Sequence, residues 1–440
     1  MNSRALYIFS IFILFAREMH AQNKDNRPNI IYIMADDLGY ADLSCYGRKD
    51  YQTVHLDKLA KQGIKFNNAY SAAPVCTPSR VAFFTGRYPA RLEVGLFEPI
   101  AEMQKDSLVG LSPETPSIAT LLKQAGYNTY LVGKWHLGYK PEYSPNKNGF
   151  DYFFGFKTGA TDYITHTNPS GMPDLYENET QVSRAGYITD IFGEKAIELI
   201  SRPHDKPFFM ALMFNAPHWP WQAPGDNAYP VGSADLWKKG GSAEIFSNMV
   251  KSMDEAIGKI VATLDQLKMT NNTLIIFTSD NGGERYSDNG IYRGKKMQLW
   301  EGGIREPAIL RWTGHLPANT ISEQVVTTMD WTATILSLAR AKIDRRFPLD
   351  GMDILPVIKG KKEITDRTLY WRIFQRVKHK AIRDGNWKWL QDENGNEYLF
   401  NLKEDPSEKN NLNEKYPDIF QQLKIKYATW ERTVLQPIPL

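Results

Sequence analysis

The chain has 440 residues, of which 42% are hydrophobic and 23% charged, with a net charge of +3. This is ordinary globular composition, which excludes a disordered or fibrous protein, and the small charge gives no electrostatic case for a nucleic-acid partner. The length permits a large buried core, either as two or three domains or as one large α/β domain with a small appendage.

Arg4 precedes an apolar run from Ala5 to Ala16, and a polar stretch begins around Ala21 and Gln22. This pattern predicts a secretory signal peptide over residues 1–21, although Met19 is not the small residue usual before a cleavage site. The run falls short of the roughly 20 apolar residues that span a bilayer. The expectation is therefore a secreted or periplasmic product with no stable membrane insertion, an uncleaved anchor being the alternative. Apolar runs from Asn29 to Ala35, Asn128 to Gly133, Pro207 to Phe214, Thr273 to Thr278 and Arg305 to Trp312 read as strands buried on both faces. Between them, Ile188, Ile191, Ala196, Ile197 and Ile200 recur at helical spacing, as do Met249, Met253, Ala256, Ile257, Ile260, Val261 and Leu264. Alternating strands and helices predict an α/β domain over residues 22–345, with a large mixed, mostly parallel sheet sandwiched by helices. The Gly-, Asn- and Thr-rich stretch from Thr158 to Ser183 reads as a long surface excursion. Residues 346–440 change texture, to short hairpin-like runs and a last helix from about Pro417 to Val434. They are expected to form a small C-terminal α+β subdomain.

Polar residues follow the predicted strands: Asp36 and Asp37, then Lys134 and His136, then His218, then Asp280 and Asn281. Ligands of open α/β sheets bind beyond the carboxyl ends of the strands, so four strands deliver polar groups to one edge. Asp36, Asp37, Asp280 and Asn281 offer only oxygen donors, which suits Ca²⁺ or Mg²⁺ and not zinc. Taken alone, Asp36 and Asp37 also read as a helix N-cap pair. Cys76, in a Pro-punctuated turn with Arg80 four residues on, is either a cation-stabilised thiolate or a small core residue. Two cysteines in an exported chain, Cys45 and Cys76, would ordinarily pair.

The segment CTPSRVAFFTG (76–86) resembles the sulfatase signature. GYNTYLVGKWH (126–136), DDLG (36–39), TSDNGG (278–283), WEGGIR (300–305) and YLFNLKEDPSEKNNL (398–412) resemble the family's other blocks, in the family's order. The resemblance implies hydrolysis of sulfate esters, with Cys76 oxidised by a formylglycine-generating enzyme to a formylglycine nucleophile and Cys45 left as a free thiol. It implies Ca²⁺, or less readily Mg²⁺, held by Asp36, Asp37, Asp280 and Asn281 with residue 76 completing the shell. Arg80, Lys134 and Lys296 would line the sulfate. Lys296 is chosen over Lys295 because the family's lysine stands five residues before the Glu of Glu-Gly-Gly. Asp280 would accept the first proton, His136 the proton of the second hydroxyl, and His218 would contact sulfate and protonate the leaving alcohol. His166, Trp219, Trp221, and Arg376 or His379 are candidates for a sugar pocket, whereas His55, His204 and His315 read as structural or merely exposed. FGFKTGATDYITH and the WEGG region are similar to arylsulfatase B and algal-polysaccharide sulfatases, which implies a 4-sulfated galactose or N-acetylgalactosamine unit in a sulfated glycan. Two other readings are a phosphatase or phosphonate hydrolase of the same superfamily and a non-catalytic glycan-binding homologue. The first calls for a richer His/Asp set for two zinc ions, the second for loss of a catalytic group; neither feature is present.

Overall fold

The computed structural model describes residues 27–101, 108–229, 237 and 239–438; the expected signal segment lies outside them. Strand β1 (Asn29–Ala35) is an unbroken apolar run, and every one of its residues is buried. Ile31 and Ile33 enter one core and Ile30, Tyr32 and Met34 the other, as the two-residue period of a strand requires. Each such side chain contributes about 1.5–3 kcal/mol by leaving water. The centre of the sheet is thereby fixed between two layers.

Along the chain follow β2 (Ile64–Phe66), β3 (Ala69–Tyr70), β4 (Asn128–Lys134), β5 (Tyr152–Phe156), β6 (Tyr176–Glu177), β7 (Thr180–Gln181) and β8 (Phe208–Met213). Then come β9 (Thr273–Ser279), β10 (Ala308–Arg311), β11 (Thr320–Ser322), β12 (Val326–Thr327), β13 (Thr368–Ile373), β14 (His379–Asp384), β15 (Trp387–Gln391) and β16 (Glu397–Asn401). Among the described residues, ten strands form the main sheet in the order β11-β2-β10-β9-β1-β8-β4-β5-β6-β7. β9, β1, β8, β4 and β5 run parallel, so their carboxyl ends share one edge. On one face the helix Ala243–Gln266 packs Met249, Met253, Ile257 and Ile260 against the sheet beside the helix Ile188–Ser201. The helices Cys76–Thr85, Ile118–Gln124 and Thr328–Leu338 cover the other face.

Two details depart from the sequence reading. The last apolar run, Arg305 to Trp312, reads from the sequence as one continuous strand. Its strand begins only at Ala308 and pairs antiparallel to β9, because Glu301–Ile304 forms a helical turn that reverses the chain. The stretch Thr158–Ser183 is only partly a surface excursion. Tyr163, His166, Asp174 and Leu175 are buried, and Asp174 accepts the N–H groups of Lys157 and Thr158. A polar segment can be buried once its backbone donors are satisfied in this way.

The C-terminal region is the antiparallel meander β13-β14-β15-β16 with the helix Pro417–Glu431 laid on it. It does not stand apart from the main sheet. Trp371, Ile373, Leu390 and Phe400 share a core with Val75, Cys76, Leu299 and Ile304, so this small sheet supports the floor on which Cys76 rests. Among the described residues no helix is long and apolar enough to cross a membrane.

Candidate active site

Cys76 opens the helix Cys76–Thr85, after an extended Val75. Ser79 Oγ donates to the carbonyl of Ala73 at 2.8 Å and pins the loop that enters the helix. Gly86 ends the helix in the left-handed conformation at φ 66°, where a side chain is disfavoured. Four residues make one helical turn, so Arg80 lies on the same face as Cys76. Arg80 is wholly buried, donates to the Lys134 carbonyl at 3.0 Å and meets Asp280 Oδ2 at 3.2 Å.

The ends of β1, β4, β8 and β9 meet this helix. Lys134 Nζ lies 2.5 Å from Asp36 Oδ2. Lys296 Nζ lies 2.6 Å from Asp37 Oδ2, while Lys295 is exposed. Asn281 Nδ2 donates to Asp37 Oδ1 at 2.8 Å, and the Asp37 N–H donates to Asp280 Oδ1 at 3.1 Å. His218 Nε2 is 3.6 Å from Asp37 Oδ2, and its Nδ1 donates to the Trp219 carbonyl at 2.5 Å. Asp37 and His136 hold positive φ, 64° and 57°, a backbone strain typical of functional sites.

The electrostatics bind these groups into one unit. Burial raises the Cys76 thiol; Lys134 and Lys296 pull it down, and Asp36 and Asp280 push it up, so four charges from four segments act on one sulfur. Burial opposes the charge on Asp36, but Lys134, His218 and Arg80 outweigh it and hold the carboxyl far below its ordinary value. Burial and then the charge of Asp36 push Asp280 up to about 8. Burial lowers His218 to about 4 and carries His136 well below the ordinary imidazole value. His136 Nε2 donates to the Ile100 carbonyl at 3.0 Å, which leaves Nδ1 as an acceptor, buried and without a partner among the described residues.

The donor set fits a hard divalent cation. Asp36 Oδ1 and Asn281 Oδ1 are buried with no hydrogen-bond partner among the described residues. Ligand atoms of Asp36, Asp37 and His218 lie within 4.8 Å of one another. Carboxylates crowded this closely are relieved by a cation, and oxygen donors select Ca²⁺ or Mg²⁺. His218 is the one nitrogen in that group, and its Nδ1 contact leaves Nε2 facing Asp37.

The sugar-pocket candidates separate. Trp219 packs against His218 with ring centroids 4.5 Å apart and the planes tilted by 36°, and stays at the site. Trp221 is buried against Tyr286. His166 is buried, with Nε2 on the Gly186 carbonyl. Arg376 is exposed on the turn between β13 and β14. His379 is wholly buried: Nδ1 accepts the Leu299 N–H at 3.1 Å and Nε2 meets Glu393. It therefore braces the segment that carries Lys296. His55, His204 and His315 all lie outside the cluster, and His204 caps carbonyls at a helix end. Cys45 and Cys76 are both free thiols.

Three contributors were not foreseen. Gly159 abuts the His136 ring, for a Cβ there would stand 2.8 Å from Cε1 and Nε2. Asn215, just beyond β8, buries an amide with no partner among the described residues. Glu284 brings a carboxylate oxygen within 3.7 Å of Lys296 Nζ. Position directly after the DNGG block was the available signal for Glu284; Gly159 and Asn215 carry no signal without the fold.

Comparison with known proteins places the chain in a family. The family profile described as Sulfatase matches residues 28–341, and that described as N-sulphoglucosamine sulphohydrolase, C-terminal, matches residues 289–432. N-acetylgalactosamine-6-sulfatase of Canis lupus familiaris is 33% identical over 82% of this chain and 71% of its own length. Arylsulfatase J of Mus musculus is 31% identical over 93% of this chain and 77% of its own. The crystal structure of Ps i-CgsB in complex with k-i-k-neocarrahexaose superposes with a TM-score of 0.83 at 31% identity, covering 93% of this chain and 94% of that one. With the Sulfatase profile spanning most of its length, this chain belongs to the sulfatase family and is a sulfuric ester hydrolase.

Proposed function

We propose that the protein hydrolyses sulfate monoesters on a sulfated glycan of galactose or N-acetylgalactosamine type, using a formylglycine made from Cys76 and a bound Ca²⁺. One observation carries the reading: a buried residue 76 sits under the joint field of Lys134, Lys296, Asp36 and Asp280. The carbohydrate class is supported by the N-acetylgalactosamine-6-sulfatase relatives and by the neighbour bound to k-i-k-neocarrahexaose. The sulfate position, 4 in the sequence reading, is left to the substrate panel below. Export, by the N-terminal segment, belongs to the same proposal, as does encounter with a formylglycine-generating enzyme.

Asp36, Asp37, Asp280 and Asn281 would hold the Ca²⁺, which supplies Lewis-acid stabilisation of anionic oxygen. Formylglycine supplies a hydrated aldehyde, one hydroxyl to attack sulfur and a second whose deprotonation expels sulfate. Arg80, Lys134 and Lys296 fix positive charge around the sulfate, the arrangement that stabilises developing oxyanion charge. Asp280 accepts the proton of the attacking hydroxyl, as a carboxylate beside the residue-76 side chain. His136 Nδ1, an acceptor with no competing partner, takes the proton of the second hydroxyl. His218 donates toward the leaving oxygen. A docked sulfate brings negative charge that favours the imidazolium and offsets the burial lowering this ring. Trp219 offers an aromatic face to the sugar.

Mass spectrometry of the peptide containing residue 76, with sulfate release from a panel of 4- and 6-sulfated saccharides, tests the reading. Maturation should remove about 18 Da from that peptide, and C76A should abolish turnover. Active protein with an unmodified cysteine would overturn it.

A further inference from the structure

We propose that Glu284 is a specificity residue that reads the hydroxyl beside the sulfate ester, so that the site accepts a singly sulfated sugar edge and rejects a vicinal disulfate. This rests on the reading of the site as a sulfatase for sulfated sugars.

Glu284 is held in place by the backbone that leads into it. The Gly282 N–H donates to the Gly303 carbonyl at 3.0 Å, and the Lys296 N–H donates to the Gly283 carbonyl at 3.1 Å. A Cβ at Gly282 would stand 2.0 Å from the Gly302 oxygen, so only glycine permits this approach of the two loops. The turn after Asn281 thus brings Glu284 beside the lysine proposed to hold sulfate. Glu284 Oε2 is buried and lies 3.7 Å from Lys296 Nζ; burial raises this carboxyl, Lys296 pulls it down, and the neighbouring Asp37 adds to the rise. Yet the side chain is 36% exposed, whereas those of Asp36, Asp37 and Asp280 are 4% or less. Of these four acids, Glu284 alone is both in the charged cluster and partly exposed to solvent.

A carboxylate at that point works against binding of an anion and accepts a hydrogen bond from a neutral donor. A sugar whose ester sulfate rests against Lys296 presents its neighbouring carbon to Glu284. A free hydroxyl there donates to the carboxylate. A second sulfate there meets like charge at close range, which costs about tenfold in binding.

The test uses the matured, full-length protein and two galactose-type saccharides that share one sulfate, the second carrying another on the adjacent carbon. The ratio of kcat/KM for the two should favour the monosulfate by about tenfold. E284Q, which keeps shape and removes charge, should bring that ratio to within about threefold of unity; any general loss of activity divides out. E284A should do the same. Calorimetry on C76A, which binds without turnover, should give the same preference, abolished in C76A/E284Q. A ratio that E284Q and E284A leave unchanged would overturn the proposal and reduce Glu284 to a counter-charge for Lys296. Wild-type protein that carries formylglycine yet releases sulfate from neither saccharide would refute the glycan reading instead.

Discussion

His136 owes its proposed role to one lone pair. Its Nε2 is committed to the Ile100 carbonyl, its backbone is strained at φ 57°, and its Nδ1 is left as a buried acceptor. Gly159 sets the position of the ring, since a methyl group there would stand 2.8 Å from it. G159A should push the imidazole aside and lower kcat about 10²-fold, the cost of a displacement near 1 Å, with KM little changed. Steady-state kinetics check this, and imidazole added to the buffer should restore activity to H136G more than to G159A, where the ring still blocks the site. The two adjacent lysines give a second test. K296M should reduce kcat/KM by about 10²–10³ through loss of fixed charge at the sulfate. K295M, at an exposed position, should remain near wild type. Equal losses from the two would discount the inward turn of Lys296.

At the scale of elements, the turn Glu301–Ile304 joins the catalytic sheet to the C-terminal one. Lys388 of β15 lies 2.9 Å from Glu301 Oε1 and 2.8 Å from Glu408 Oε1, and all three are wholly buried. Burial works against the charge of Glu301, but Lys388, Arg305 and Arg383 hold it at about 2. Burial pushes Glu408 up to about 7, with Lys388 pulling back and Glu301 adding to the rise. The two acids therefore act on stability in opposite senses. Glu301 stabilises above its ordinary value of 4.5, and this is lost as pH falls toward 2. Glu408 stabilises while protonated, fully below 4.5, and this is lost as pH rises through 7. Thermal melts should thus show Tm falling between pH 5 and 7.5 more steeply in wild type than in E408Q, which stays neutral. K388M should destabilise by about 3–5 kcal/mol, because it leaves buried carboxylates uncompensated. How much of this was legible varies with the element. β1, β8 and β9 could be read directly, because burial on both faces leaves an unbroken apolar run. The direction of β10 could not, since an apolar run looks the same read either way and the reversal lies in Glu-Gly-Gly. Glu301 sits inside a recognisable block, yet nothing local shows that its partner is Lys388, 87 residues away. His379 reads from the sequence as a candidate for the sugar pocket; the packing of β14 turns it inward to Leu299.

At the scale of the molecule, a net charge of +3 over 440 residues says little, while the site concentrates charge in balanced form. Asp36, Asp37 and Asp280 face Arg80, Lys134 and Lys296, so a divalent cation would give the cluster a net attraction for an anionic ester. Four strand ends and one helix N-terminus contribute to this cluster, and binding a cation there should stabilise the tertiary structure as a whole. The expectation is independent of turnover. With Ca²⁺ at about 100 times its Kd, linkage adds about 2.7 kcal/mol, a Tm rise of a few degrees for a chain of this size. Mg²⁺ should raise Tm less, because it demands a nearly octahedral shell and gives up water reluctantly. The increment should shrink in N281A, which removes a buried oxygen that has no other partner, and persist in K295M, which touches no donor. Differential scanning calorimetry on protein stripped with EDTA and then titrated with each ion reads this directly. A Tm indifferent to Ca²⁺, or an increment as large in N281A as in wild type, would remove the cation from this cluster and leave the carboxylates to be explained by the three cationic side chains alone.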